Sequence, residues 1–325
     1  MHQKLGRPSF AEAVVSETLG QNPRLERIDD AVDWERLGQV VAGVHAAPRG
    51  RPSYPPLLMV KVLLLQQWYT LSDPQMEEAL SDRLSFRRFV GLGLEDDTPD
   101  HSTISRFRAA LEAAGLSERL FEVLTAQLEA QGLMLKAGTL LDATLVAAHV
   151  RRPPLAAGRG ASSATDPDAA WTQTGRGTRS PFGYKLHLGV DADTGVVRRA
   201  VLTPANVYES TVADTLVSGD EQAVYADRAY ESKHRRQWLR EQGINDRIMH
   251  RANKHQPELT VWQQRRNALI EQRRALVEKV FGTLKRSYRY HRVAYDGLGR
   301  NGVEMWFKLM AYNLRKADTL SWAAR

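Results

Sequence analysis

The apolar residues of this chain change period once, near Leu133, and that change limits the folds open to it. Before it they recur at helical spacing. Pro55 and Pro56 open an apolar run from Leu57 to Tyr69, proline being suited to a first turn. Ser72, followed three residues later by Gln75, is a capping-box start for a helix to about Leu84. Gly91 to Pro99 reads as a turn. Asp100 or Ser102 then caps a helix from Thr103 to about Ala114, and another covers Ser117 to Gln131. Residues 1–135 therefore read as a helical domain.

Beyond Leu133 the period shortens. Thr139 to Val146 is β-like, and Tyr184 to Val190 alternates as a strand. A turn signal, Asp191 to Gly195, leads into a returning strand, Val196 to Leu202. A helix follows near Ser210 to Val217, then a buried strand (Ala223 to Ala226), a helix (Lys233 to Gln242) and a short strand (Ile244 to Met249). A long helical region runs from Val261 to about Tyr288, and a last helix from about Asn301 to Lys316. Residues 151–180, rich in Gly, Ala, Pro, Ser and Thr, read as a mobile insertion. The chain is thus of the α+β class, with an α/β domain over residues 136–325. Three hairpin-joined strands followed by alternating helices and strands is the ribonuclease H-like order, which predicts a mixed five-stranded sheet.

At 325 residues and 42% apolar content the chain can bury two cores. Its net charge of +7 points to a polyanionic partner, because Lys and Arg release counterions from phosphates. The cations crowd between Lys233 and Arg292, with few acids among them, so an acid placed there needs a reason. The absence of cysteine excludes disulfides, thiolate zinc sites and cysteine nucleophiles, and fits a reducing cytoplasm. No apolar run of about 18 residues exists, so no membrane span is expected. The N-terminus lacks the apolar core of a signal peptide.

Three carboxylates stand out. Asp142 lies inside the apolar run Leu140 to Val146, where a charge costs several kcal/mol unless paired or metal-bound; the alternative is the solvent face of an edge strand. Asp227 ends the buried strand Ala223 to Ala226, where α/β folds put ligand sites; the alternative is a helix N-cap. Glu278 shares one helical stripe with Arg274 and Lys285; the alternative is a solvated salt-bridge face. Their positions on the first strand, after the fourth and on the helix after the fifth converge in a ribonuclease H-like sheet. Three clustered carboxylates repel one another unless divalent metal holds them. All-oxygen ligands suit Mg²⁺ or Mn²⁺. Two such ions would activate water or a 3′-hydroxyl for attack at phosphorus. There is no Gly-Lys-Ser/Thr phosphate loop, no zincin motif and no Gly-x-Ser-x-Gly elbow. The scattered His149, His187, His250 and His255 offer no ligand set.

On these residues the chain resembles the bacterial insertion-sequence DDE transposases of the IS-five type, within the IS-four-like group. That group's signature has Tyr, Arg, Glu and Lys separated by two, three and six residues. Arg274, Glu278 and Lys285 match it, and Glu271 stands where the signature has Tyr. Asp142-Ala-Thr144, Phe182-Gly-Tyr-Lys185, Thr203-Pro-Ala-Asn206, Ala226-Asp-Arg-Ala-Tyr230 and Ala311-Tyr-Asn-Leu-Arg315 also look like the family. So do Asp82-Arg-Leu-Ser-Phe86 and Pro99 to Phe107 in the helical half.

The resemblance implies an enzyme that binds the terminal inverted repeats of a mobile element, cleaves at its ends and joins the 3′-hydroxyl to target DNA. It implies Asp142, Asp227 and Glu278 as catalytic metal ligands for two Mg²⁺ ions, with Mn²⁺ as a substitute. Lys285, Arg274 and Lys185 would contact DNA and Asn206 would support the site. Partners would be double-stranded DNA and further copies of the chain, as a dimer or larger oligomer on DNA, with no membrane. The segment ending in Ser102 to Arg108 has the look of a helix-turn-helix, with Ser102, Arg106 and Arg108 as DNA contacts; a plain bundle with Ile104, Phe107 and Leu111 as core is the alternative. Two other functions stay open: a DNA-binding protein without catalysis, and a ribonuclease H-like nuclease that only hydrolyses.

Overall fold

Capping chemistry starts most of the helices. In the computed structural model, which describes residues 5–6, 20–44, 52–150, 163–172, 181–252 and 256–323, Asn22 accepts from Leu25 N at the start of α1 (Pro23–Ala31) and Asp33 from Arg36 N at α2 (Trp34–Val41). Pro55 and Pro56 open α3 (Pro56–Tyr69). Ser72 and Gln75 form the expected capping box of α4 (Asp73–Asp82). After α5 (Leu84–Val90), Asp100 caps α6 (His101–Ala114), its Oδ1 accepting from Thr103 N at 2.6 Å, so of the two candidates it is Asp100 that caps. Gly115, at φ 64°, turns the chain into α7 (Leu116–Ala130).

By packing the chain divides into residues 1–131 with 302–325, and residues 132–301. In the first unit α3 is buried almost all round, through Leu58, Met59, Val60, Val62, Leu63, Leu64, Leu65 and Trp68. The one charge in that run, Lys61, pairs with Asp29 at 2.6 Å and lies over the Trp34 ring. Ile104, Phe107 and Leu111 are core, as their spacing indicates. The last helix, α11 (Leu298–Ala323), groups with this unit from Gly302 onward. Trp68 Nε1 donates to Ala311 O at 2.8 Å, and the Phe121 and Trp306 rings pack 4.9 Å apart. A helical period shows that a helix has a buried face but not what covers it, which is why the sequence left α11 with the second half.

The second unit holds a mixed sheet of six strands, β1 (Thr139–Ala147), β2 (Ala170–Trp171), β3 (Phe182–Asp191), β4 (Val197–Pro204), β5 (Ala223–Ala226) and β6 (Asn245–Ile248). The order is β2-β3-β1-β5-β6, with β4 also on β3. β1, β3 and β4 are antiparallel neighbours; β5 and β6 run parallel to β1. Between β4 and β5 lie the one-turn helix α8 (Glu209–Val212) and a 3₁₀ turn (Ala213–Leu216). A second 3₁₀ turn, Arg228–Tyr230, and α9 (Lys233–Glu241) follow β5. α10 (Val261–Ser287) packs on β1 and β5.

The expectation of five strands is corrected to six by β2. It pairs Ala170 with Gly183 and Trp171 with Phe182, just beyond the end of β4 on the same edge of β3. Two residues carry no periodic signal. Tertiary contacts fix them: Trp171 packs on Phe182 at 5.3 Å, and buried Asp166 accepts from Tyr184 Oη at 2.5 Å and Gly297 N at 3.1 Å. Residues 163–172 of the expected mobile insertion are therefore built into the sheet domain; 151–162 and 173–180 lie outside the described residues. Gly183 is required where β1 and β3 approach, since a Cβ there would come within 2.3 Å of Val146 O. Among the described residues no helix is long and apolar enough to cross a membrane.

Candidate active site

β1 and β5 set Thr139 opposite Val224 and Leu140 opposite Tyr225. Carried on, this parallel register brings Asp142 level with Asp227, the first residue past β5. Leu141, Val224 and Ala226 point into an apolar cluster with Leu216, Leu239, Ile244 and Ile248. By strand alternation Asp142 and Thr144 point to the opposite face, where α10 lies. There Arg274 Nη2 is 3.2 Å from Asp142 Oδ2, and Lys285 Nζ donates to Thr144 Oγ1 at 2.6 Å. Asp227 Oδ1 accepts from Ala229 N at 2.7 Å and so caps the 3₁₀ turn, the role its position allowed.

Burial pushes the Asp142 carboxyl up to about 6 against the pull of Arg274, and Asp227 and Glu209 push the same way. Burial also raises Glu209, against the pull of Lys185. It lowers the Lys285 ammonium. The Tyr230 phenol is raised well above its ordinary range by burial and then by Glu209, Asp142 and Asp227. The Tyr230 hydroxyl is fully buried and has no hydrogen-bond partner.

The structure thus gathers Asp142, Asp227, Arg274, Glu209 and Tyr230, with Lys285 nearby on Thr144. Glu278 lies one turn beyond Arg274 on α10 and is exposed. In this arrangement no three acidic or histidine side chains among the described residues converge closely enough to hold one ion. Lys185, expected as a DNA contact, is instead turned inward, its Nζ donating to Val207 O at 2.9 Å and lying 3.6 Å from Glu209 Oε1. Asn206 is exposed in the turn after β4.

In the helical unit Ser102 Oγ bonds Asp100, and exposed Arg106 is held by Ser102 and Thr103. Arg108 is a correction. It is buried, with two bonds to Asp73 at 2.6 and 3.1 Å and one to Gln66, so it holds α6 to α3 and α4 rather than facing DNA. Alternation of cation and apolar residue in sequence does not separate the two faces of a helix that is buried on both.

Sequence reasoning missed Glu209 and Arg235. Glu209 sits in a one-turn helix with no apolar period around it. Arg235 was counted in the basic run between Lys233 and Arg292, yet it is buried and donates to Asp214 Oδ1, Ser210 O and Tyr230 O at 2.5–2.6 Å. Arg236 and Arg266 of the same run meet Asp246. Part of that charge is therefore paired internally with acids from other elements; Lys254 and His255 lie outside the described residues.

Comparison with known families finds a match in each half of the chain. A family model described as a transposase DDE domain matches residues 134–314, more than half of the chain. One described as a transposase domain (DUF772) matches residues 13–110. No solved structure matches the chain. By these matches the chain belongs to the DDE transposases of insertion sequences, enzymes of DNA transposition and recombination.

Proposed function

We propose that this transposase binds the terminal inverted repeats of its own insertion sequence, cleaves at the element ends and joins the 3′-hydroxyl to target DNA, with Asp142, Asp227 and Glu278 as its catalytic acids. The observation that carries this is the β1–β5 register, which carried on two residues sets Asp142 level with Asp227 on the face covered by α10, the helix that bears Arg274, Glu278 and Lys285. The strand order supports a ribonuclease H-like catalytic domain, and the arginine, glutamate and lysine spacing on α10 supports an IS-five-type member of the IS-four-like group. The helical half is assigned to end recognition, with Ser102 and Arg106 on an exposed helix start.

The residues fit a divalent cation in kind. Their donors are carboxylate oxygens, suited to Mg²⁺ or Mn²⁺, and a buried hydroxyl without a partner, Tyr230, stands beside them. Asp142 and Asp227 would hold the cation from the sheet. Glu278 would complete the set from α10, as an exposed side chain changes rotamer within nanoseconds. The chemistry a bound pair of such ions would supply is polarisation of the scissile phosphate and activation of the attacking oxygen. Lys285, steadied by Thr144, supplies a fixed positive charge next to the site, and Arg274 holds the Asp142 carboxylate from α10. Two ends and a target have to meet in one complex, so the working form on DNA is a homodimer or larger.

Incubating the purified protein with labelled DNA carrying the element's ends, in Mg²⁺ or in EDTA, tests the proposal. Metal-dependent nicking at the boundary and joining to a second DNA are expected. Glu278→Ala should keep end binding and lose cleavage; cleavage that survives the substitution removes Glu278 from the site. Hydrolysis without joining would mark a nuclease instead.

A further inference from the structure

Three of the large apolar side chains exposed among the described residues, Val261, Trp262 and Leu269, stand on the first turns of α10. Trp262 is 65% exposed and Leu269 66%. Two turns apart, they share one face with Arg265 and Arg266, whereas Glu271 lies on the opposite side of the helix. Single exposed apolar residues are ordinary, but a group of them on one fixed face marks a contact surface.

The face is fixed to the outer strand of the sheet. Arg266 donates from Nη1 to Ile248 O and from Nη2 to Asp246 O, each at 2.8 Å, along β6. Asn267 accepts from His250 N at 2.8 Å and donates to His250 O at 3.0 Å. The His250 ring lies 5.8 Å from that of Trp262, and the Arg266 guanidinium 6.0 Å from it. The indole is thus flanked by anchored groups and still mostly open to solvent.

Its surroundings are cationic. Burial, then Arg266 and Arg236, lower the His250 pKa. Burial also lowers that of Arg266 against the pull of Asp246, and Arg236 and Arg247 add to the lowering. Cations therefore crowd here closely enough to act on one another. Asp246 is already shared by Arg236 and Arg266, while Arg247, Arg251 and Arg265 are exposed. A flat ring among exposed arginines suits a partner that offers aromatic faces and negative charge together, which is a DNA strand with unpaired bases. A second copy of the chain would bring the same cations against these.

We propose that this face of the sheet domain binds unpaired DNA, a base stacking on the Trp262 ring while Arg265, Arg247 and Arg251 hold neighbouring phosphates. Trp262 stands about 18 Å of helix before Arg274, so the surface is separate from the catalytic acids. Strand cleavage and joining pass through cut strands, which supply such bases.

Fluorescence anisotropy of the full chain in EDTA, with a labelled single strand of about 16 nucleotides and with the same sequence as duplex, tests this. Trp262→Ala should weaken binding of the strand about tenfold, the effect of one lost stacked base, and of the duplex by less than about twofold. Trp262→Phe, which keeps a ring, should restore most of the affinity. Arg265→Gln should lower the salt slope of strand binding by about 0.7. Circular dichroism should be retained in all three. Parental strand affinity in Trp262→Ala, or equal losses on strand and duplex, overturns the inference. A changed oligomeric state in Trp262→Ala with strand affinity kept also overturns it and makes the face a contact between copies. In EDTA the catalytic acids have no part in the readout, so nicking that survives Glu278→Ala counts against their assignment and not against this surface.

Discussion

Arg274 Nη2 lies 3.2 Å from Asp142 Oδ2, and both side chains are largely buried. The first acid of the site is therefore held, before any metal, by a cation from a helix that comes much later in the chain. Removing that cation leaves a buried carboxylate with like-charged neighbours. Arg274→Met should move the pH at half-maximal nicking up by about one unit, the smaller end of what a lost opposite charge does. A pH–rate profile of end nicking in Mg²⁺ checks this, and an unmoved midpoint would mean the pair does not set the ionisation of Asp142.

The wild-type site has its own pH signature. The Asp142 carboxyl is raised to about 6 from 3.8, by burial first. A carboxyl raised on folding binds an extra proton in the folded state between about pH 4 and 6, so the stability it contributes to the metal-free protein is present at low pH and lost as pH rises through 6. Metal needs the ionised form, so Mn²⁺ affinity should rise over the same interval, by about tenfold per pH unit below 6, and level off above it. Calorimetric titrations at several pH values measure this; an affinity flat from about pH 5 to 7 would contradict it.

Arg108 and Arg106 are two residues apart and should behave oppositely. Arg108→Ala leaves the Asp73 carboxylate without its buried partner and should cost about 3–5 kcal/mol in urea unfolding. Arg106→Ala, on the exposed face, should change stability by no more than about 0.5 kcal/mol and weaken binding of end DNA. Equal stability losses would show that the helix is oriented differently from this description.

His187 is fully buried, its Nε2 2.9 Å from Thr203 Oγ1 and its Nδ1 without a partner. Burial and then Lys185 lower its pKa to about 4 from 6.5. The unfolded chain binds the extra proton between these values, so the stability that neutral His187 contributes is present above pH 6.5 and lost as pH falls toward 4. The loss amounts to about 3 kcal/mol at most. Urea midpoints for wild type and His187→Gln from pH 7 to 4 should converge as the wild type weakens; parallel curves would rule the contribution out.

The sequence by itself determined the elements. Apolar spacing, the Ser72–Gln75 capping box, the turn at Asp191–Gly195 and the buried strand Ala223–Ala226 are local relations, enforced by dihedral preference and by burial of one face. It also singled out Asp142 and Asp227, because an acid inside or at the end of an apolar strand is anomalous by its neighbours alone. Tertiary structure decided the rest. β2 exists through Trp171 on Phe182 and Asp166 under Tyr184, contacts between segments with no shared period. Arg108, Arg235 and Lys185 read as free cations in sequence, yet each meets an acid from another element, since a charge run says nothing of which faces are covered. Glu209 lies in a single turn of helix whose neighbours give no periodic signal. Only the packing of that turn on the Asp227 turn, under the Arg235 clamp, brings its carboxylate to the site, because charge proximity depends on distances that chain order does not specify.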